Sequence, residues 1–166
     1  MSAFPYLYGR SAIFFCHTIY ALITYLCAVA RVIAIDYGTK RTGIAATDPL
    51  QISVNGLDTL STEEVVPFLE NYCAREEVET IVVGEPRYPD GRPAKIHHLV
   101  VGFVRKLEKT FPDIKVELHD ERFSSKAAEQ LILQAVPKQK KRRNKALVDK
   151  MAAILILQDY LDHYHY

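Results

Sequence analysis

Val32-Ile33-Ala34-Ile35-Asp36-Tyr37-Gly38-Thr39-Lys40-Arg41-Thr42-Gly43-Ile44-Ala45 decides how the rest of this chain is read. Val32 to Ile35 is a short apolar run rich in β-branched residues, the pattern of a buried strand. It ends on Asp36. Gly38 then permits a tight turn, and Gly43 keeps a returning strand near it. One carboxylate is thereby held at the rim of a sheet, beside Lys40 and Arg41. An acid next to a cationic turn suits a metal ion or a phosphate. The plainer reading is a hairpin whose aspartate caps its own turn.

Outward from this hairpin the pattern is regular. A third strand is expected around residues 52–57. Ser61-Thr62-Glu63-Glu64 looks like a helix start, with a hydroxyl cap and acids in the first turn. Val65, Val66, Leu69, Tyr72 and Cys73 follow at helical spacing, and Pro67 falls where a helix tolerates it best. Residues 78–84, with Ile81-Val82-Val83, read as a parallel strand between helices. Asp90-Gly91 marks a turn, and residues 94–111 a helix with Ile96, Leu99, Val100, Phe103, Val104 and Leu107 on one side. Residues 114–119 alternate cleanly, so they form a strand, which ends in Asp120-Glu121-Arg122. Ser124-Ser125 opens a further helix that Pro137 closes. A last helix is expected over residues 146–163, with Leu147, Met151, Ile154, Leu155 and Leu161 at core spacing. The order β-β-β-α-β-α-β-α-α implies an α/β fold: a mixed sheet of three antiparallel strands and then two parallel ones, flanked by helices. In such sheets the working groups gather at strand ends.

Residues 1–30 do not match the rest. From residue 11 to 30 the chain is almost wholly apolar. It has the length of a membrane anchor. It also has signal-peptide features, with Arg10 in front and Ala28-Val29-Ala30 at the end. The reading preferred here is translated upstream sequence, with Val29 as the true start and residues 31–166 as the working domain. The protein then has no membrane partner. Cys16, Cys27 and Cys73 have no metal-ligand spacing and form no disulfide framework, which fits a reducing cytosol. A net charge of +1 says little, but six of the eight residues 138–145 are Lys or Arg.

Acids fall at three informative places: Asp36, Asp120-Glu121 and Asp149. Asp149 lies in the last helix ahead of Ala152-Ala153, small residues suited to close packing on a sheet. An unpaired carboxylate there is costly. A divalent cation shared by three carboxylates removes the cost, and hard oxygen ligands imply Mg²⁺ or Mn²⁺. Such ions promote phosphodiester hydrolysis. Each acid also has a bland reading. Asp149 could face solvent, Glu121 could pair with Arg122 or Lys126, and Asp120 could be the inward acid instead. Glu85 is a fourth candidate, or a partner for the Arg87 loop. The histidines, His97 and His98 among them, are given no role. Beside an acidic site the basic run, with Lys140, Lys141, Arg142 and Arg143, reads as a grip on a nucleic-acid backbone. Lys40, Arg41 and Arg122 would lie nearer the scissile phosphate.

Four segments in this order resemble the YqgF family, whose members are described as pre-16S rRNA nucleases and as Holliday junction resolvases. They are Ile35-Asp36-Tyr37-Gly38-Thr39-Lys40-Arg41-Thr42-Gly43; Val83-Gly84-Glu85-Pro86 with Asp90-Gly91; Asp120-Glu121-Arg122-Phe123-Ser124-Ser125; and Lys141-Arg142-Arg143 leading to Leu147-Val148-Asp149 and Ala152-Ala153. The resemblance implies an RNase H-like fold, a cytoplasmic bacterial protein and a part in maturing the 5′ end of 16S rRNA. It also implies a metal-dependent acidic triad, which maps onto Asp36, Glu121 and Asp149. Glu85 departs from the family pattern, where many members carry an apolar residue, and this leaves its place in the site open. The partners implied are pre-16S rRNA, branched DNA as the alternative, and a ribosomal precursor particle. Either a monomer or a homodimer is compatible with the sequence.

Two other classes compete. An ATPase of the actin and sugar-kinase type shares an Asp-x-Gly-Thr hairpin but needs a second Gly-rich phosphate loop, which this chain lacks. A non-catalytic ribosome-assembly factor would keep the basic run without depending on all three acids.

Overall fold

The computed structural model describes residues 30–88, 90–120 and 145–164. Five strands form one sheet: β1 (Arg31–Asp36), β2 (Arg41–Thr47), β3 (Val54–Ser61), β4 (Val78–Glu85) and β5 (Lys115–Asp120). Their order is β3-β2-β1-β4-β5. The β1–β2 and β2–β3 pairs are antiparallel, and the β1–β4 and β4–β5 pairs are parallel. This is the expected mixed sheet. Among the described residues three helices accompany it: α1 (Val65–Cys73), α2 (His97–Thr110) and α3 (Lys145–Tyr164). The expected helix after Ser124 and the apolar residues 1–29 lie outside the described residues.

Strand alternation sorts the side chains into two cores. Ile33, Ile35, Ile44, Ile81 and Val83 face α1 and α2, where Val65, Leu69, Val100 and Leu107 are fully buried. Val32, Ala34, Ala45 and Val82 face α3 through Ala153, Ile156, Leu157 and Tyr160. The central strands are therefore buried on both sides, which is why β1 and β4 read as unbroken apolar runs. At about 1.5–3 kcal/mol for each large side chain fully buried, this packing outweighs local propensity in fixing the layers.

The structure moves several expected boundaries. The third strand begins at Val54 rather than residue 52, and Ile52 is 79% exposed. The cause is Asp48, whose Oδ1 accepts the backbone N–H groups of Ile52 and Ser53 at 2.8 and 2.6 Å. That side chain offers the backbone a turn in place of a ladder. The start of α1 has no side-chain cap from a hydroxyl. Instead Glu64 reaches back, accepting both the backbone N–H and the hydroxyl of Ser61. Helix α2 starts at His97, and Leu99 is exposed rather than packed. Helix α3 turns a wider stripe to the sheet than expected. Leu155 is buried, and Ile154 and Leu161 pack partly buried against the sheet core, as the spacing suggested. Ala153, Ile156, Leu157 and Tyr160 join them there, while Leu147 and Met151 are only partly buried. Residues 146–157 are apolar nearly all round, so spacing does not choose a face.

Candidate active site

The β1–β2 turn is tight because of its contacts. A Cβ on Gly38 would lie 2.2 Å from the carbonyl oxygen of Arg41, so only glycine fits. Thr62, just before α1, donates its hydroxyl to the Gly38 carbonyl at 2.6 Å and meets Thr42 Oγ1 at 3.2 Å. The turn is thus tied to the start of α1. It carries Lys40, which is exposed.

Asp36 ends β1 and pairs in register with Gly43 of β2. Gly43 does more than keep the return strand close. Its missing side chain is filled by α3: a Cβ there would lie 2.1 Å from the backbone oxygen of Asp149. The helix backbone therefore rests on the strand at Asp149, next to Asp36. Thr59 of β3 helps to seat the same end of α3 by donating to the Ala146 carbonyl at 2.7 Å.

The two carboxylates sense each other. Burial, and after it the negative charge of Asp149, pushes the Asp36 carboxyl up from 3.8 to about 6. Asp149 is not unpaired, as its position in the sequence suggested. Arg41 Nε donates to its Oδ2 at 3.0 Å. Arg41, expected at a phosphate, thus holds one of the acids.

Alternation separates the remaining acids. Glu117 and His119 point to α3, where they meet Tyr160 and Asp159. Val116 packs in the opposite core, and Asp120 falls on that side too. There Arg87 Nε lies 3.8 Å from Asp120 and Arg87 Nη2 lies 2.8 Å from Glu85. Glu85 is 8% exposed and also lies 3.1 Å from His97 Nδ1, though without hydrogen-bond geometry. So Asp120 and Glu85 belong to an ion-pair cluster behind the sheet, not beside Asp36 and Asp149. His97, given no role from the sequence, is part of that cluster. Among the described residues no third His, Cys, Asp or Glu joins Asp36 and Asp149 in a ligand set. Glu121, Arg122, Lys140, Lys141, Arg142 and Arg143 lie outside the described residues.

A 3-2-1-4-5 mixed sheet with helices on both faces is the RNase H-like architecture, the scaffold of a class of nucleases. The chain belongs to the RuvX family, described as Holliday junction resolvase, which it matches over residues 30–163. It is 47% identical over 131 residues to a protein of Flavobacterium psychrophilum named "Putative pre-16S rRNA nuclease", covering 79% of this chain and 96% of that one. A protein of the same name from Phocaeicola vulgatus is 46% identical over 138 residues, covering 83% and 99%. Among solved structures, T. thermophilus RuvC in complex with Holliday junction substrate superposes with a TM-score of 0.51 at 14% identity, over 81% of this chain and 96% of that one. That last likeness is one of fold. The family expected from four short motifs is the one the whole domain matches.

Proposed function

We propose that this protein is a metal-dependent endonuclease that hydrolyses phosphodiester bonds at the 5′ end of pre-16S rRNA, in the cytoplasm and on a ribosomal precursor. The observation that carries this reading is the meeting of Asp36 and Asp149 from opposite ends of the domain, with the Asp36 carboxyl raised to about 6. Two partly buried carboxylates side by side oppose each other, and that is the chemistry a divalent cation relieves. Their oxygen-only donor set fits Mg²⁺ or Mn²⁺. Asp36 and Asp149 would hold it, with Glu121 as the third ligand. Glu121 is preferred to Asp120 because Asp120 faces the Arg87 cluster. When bound, the cation supplies Lewis acidity at the phosphoryl oxygen and neutralises charge there.

The chain's own groups bind and orient. Lys40 sits exposed on the turn beside Asp36, placed to meet a backbone phosphate. Arg41 keeps one oxygen of Asp149 engaged and so fixes the direction of the other. Arg122, Lys140, Lys141, Arg142 and Arg143 would supply further cationic contacts to the nucleic-acid backbone. Relatives named for pre-16S rRNA favour RNA as substrate. The second reading is a junction resolvase, favoured by the family description. A resolvase acts on a two-fold substrate and so needs a dimer.

The test is cleavage of a 16S precursor 5′ segment and of a four-way DNA junction with Mg²⁺, Mn²⁺ or EDTA, using wild type and Asp36→Asn. Metal-dependent cutting of the RNA, abolished in Asp36→Asn, is expected. Cutting of the junction alone would replace the substrate. Binding without cutting, unchanged in Asp36→Asn, would leave an assembly factor.

A further inference from the structure

The far half of α3 gathers side chains of metal-ligating type away from the Asp36–Asp149 pair. His119 Nε2 lies 2.6 Å from Asp159 Oδ2. His163 Nδ1 lies 2.8 Å from the Asp159 carbonyl oxygen and 3.8 Å from Asp159 Oδ1. One ligand atom from each of these three residues falls within 4.8 Å of the others. Asp159 and His163 are four apart on one helix, so they share a face. His119 comes to the same point from β5.

We propose that His119, Asp159 and His163 form a Zn²⁺ site distinct from the Asp36–Asp149 pair. Two imidazoles and one carboxylate are the donor set that zinc takes, whereas Mg²⁺ prefers oxygen alone. Zinc–ligand bonds of about 2.0–2.1 Å put neighbouring ligand atoms roughly 3.4 Å apart. Reaching that spacing requires the His119–Asp159 contact to open and His163 to swing in by about an ångström. His163 is 66% exposed, so it has room to do so.

The fixed member of the set is supported from behind. The Tyr160 ring meets His119 edge-on, with centroids 5.8 Å apart at 83°. The Tyr160 hydroxyl donates to Glu117 Oε2, and Lys115 Nζ holds Glu117 Oε1 at 2.8 Å. This packing limits how far the His119 ring can turn. Three protein ligands leave a fourth position for water or an oxygen anion.

The site lies on the same sheet face as Asp36. Ile35 pairs with Val83, and Gly84 pairs with His119. His119 therefore stands two strand spacings, about 10 Å, from the end of β1. A bound ion would cross-link the edge strand β5 to α3.

The competing account is a His–Asp hydrogen bond that ties helix to strand and binds nothing. Zn²⁺ titration of the full chain by calorimetry, in excess Mg²⁺ to occupy the oxygen-only site, separates the two. The expected result is one Zn²⁺ per chain, with affinity falling about tenfold or more in His163→Ala and further in Asp159→Asn. Asp36→Asn and His98→Ala should bind as wild type does. Co²⁺ should give the absorption of a nitrogen-ligated site, lost in His163→Ala. His163 is exposed, so circular dichroism should show that variant folded. Failure to bind Zn²⁺ over Mg²⁺, or binding that survives both His163→Ala and Asp159→Asn, overturns the proposal. Neither outcome bears on whether the protein is a nuclease.

Discussion

Replacing Gly43 with alanine tests how α3 and the sheet form the acidic pair. The new Cβ would sit 2.1 Å from the Asp149 oxygen, 2.5 Å from its carbonyl carbon and 3.1 Å from Lys150 N. An ordinary carbon–oxygen approach is about 3.3 Å, so the helix must retreat by roughly 1.2 Å. The obstacle is main chain, and no change of rotamer avoids it. Overpacking of this kind costs about 1–3 kcal/mol. The lower chain entropy of alanine in a strand returns about 0.5–1 kcal/mol. A net loss of about 1–2 kcal/mol should lower the melting temperature by several degrees. The effect on cleavage is larger, because the Asp149 carboxylate moves away with its helix. A displacement of about 1 Å at a reacting site costs on the order of 100-fold in rate. Thermal melts followed by circular dichroism and single-turnover cleavage measure the two losses. A Gly43→Ala protein with wild-type melting temperature and rate would refute the contact, and with it the account of how Asp149 reaches Asp36.

Gly102→Ala is the counterpart, since nothing lies within 4 Å of the added Cβ on α2. It should raise stability by about 0.5–1 kcal/mol in a denaturant titration and leave cleavage unchanged. Asp36→Asn should stabilise the metal-free protein at pH 7. The Asp36 carboxyl is raised to about 6 in the fold, so the folded state holds its proton more tightly than the unfolded chain. Stability from this group is full below the unfolded value near 4 and is lost as pH rises through about 6. The difference between variant and wild type should approach 3 kcal/mol at most at pH 7 and vanish below about pH 4, as urea titrations across that range would show. Glu85→Ala should cost about 1–3 kcal/mol in thermal unfolding by leaving Arg87 without its buried partner. The Mg²⁺ dependence of cleavage should not change, because Glu85 faces away from Asp36.

Much of the fold was legible in local pattern. The strand at Val32, the alternation before Asp120 and the apolar Ile81-Val82-Val83 run read correctly, since burial on one or two faces leaves a period in the chain. The start of β3 was misplaced because Ile52 is apolar yet sits in a turn that the Asp48 side chain organises. The helix stripe facing the sheet was read only in part, for a different reason. Leu155, Ile154 and Leu161 pack as the spacing suggested, but Ala153, Ile156, Leu157 and Tyr160 were not singled out. Where α3 is apolar nearly all round, its rotation is set by the partner surface, above all the gap at Gly43. The histidine cluster was passed over because His119 is 40 residues from Asp159 and carries no metal-ligand spacing with it.

The sequence by itself determined the succession of strands and helices, the antiparallel-then-parallel character of the sheet, the family and the candidate acids Asp36 and Asp149, because these rest on periodicity and on short ordered motifs. Only the tertiary structure decided which charges meet. It paired Asp149 with Arg41, turned Asp120 and Glu85 to the far side of the sheet, and brought His119 to Asp159. Strand alternation gives each residue a side but not which side, and charge interactions depend on distances that the chain sets only when its layers pack.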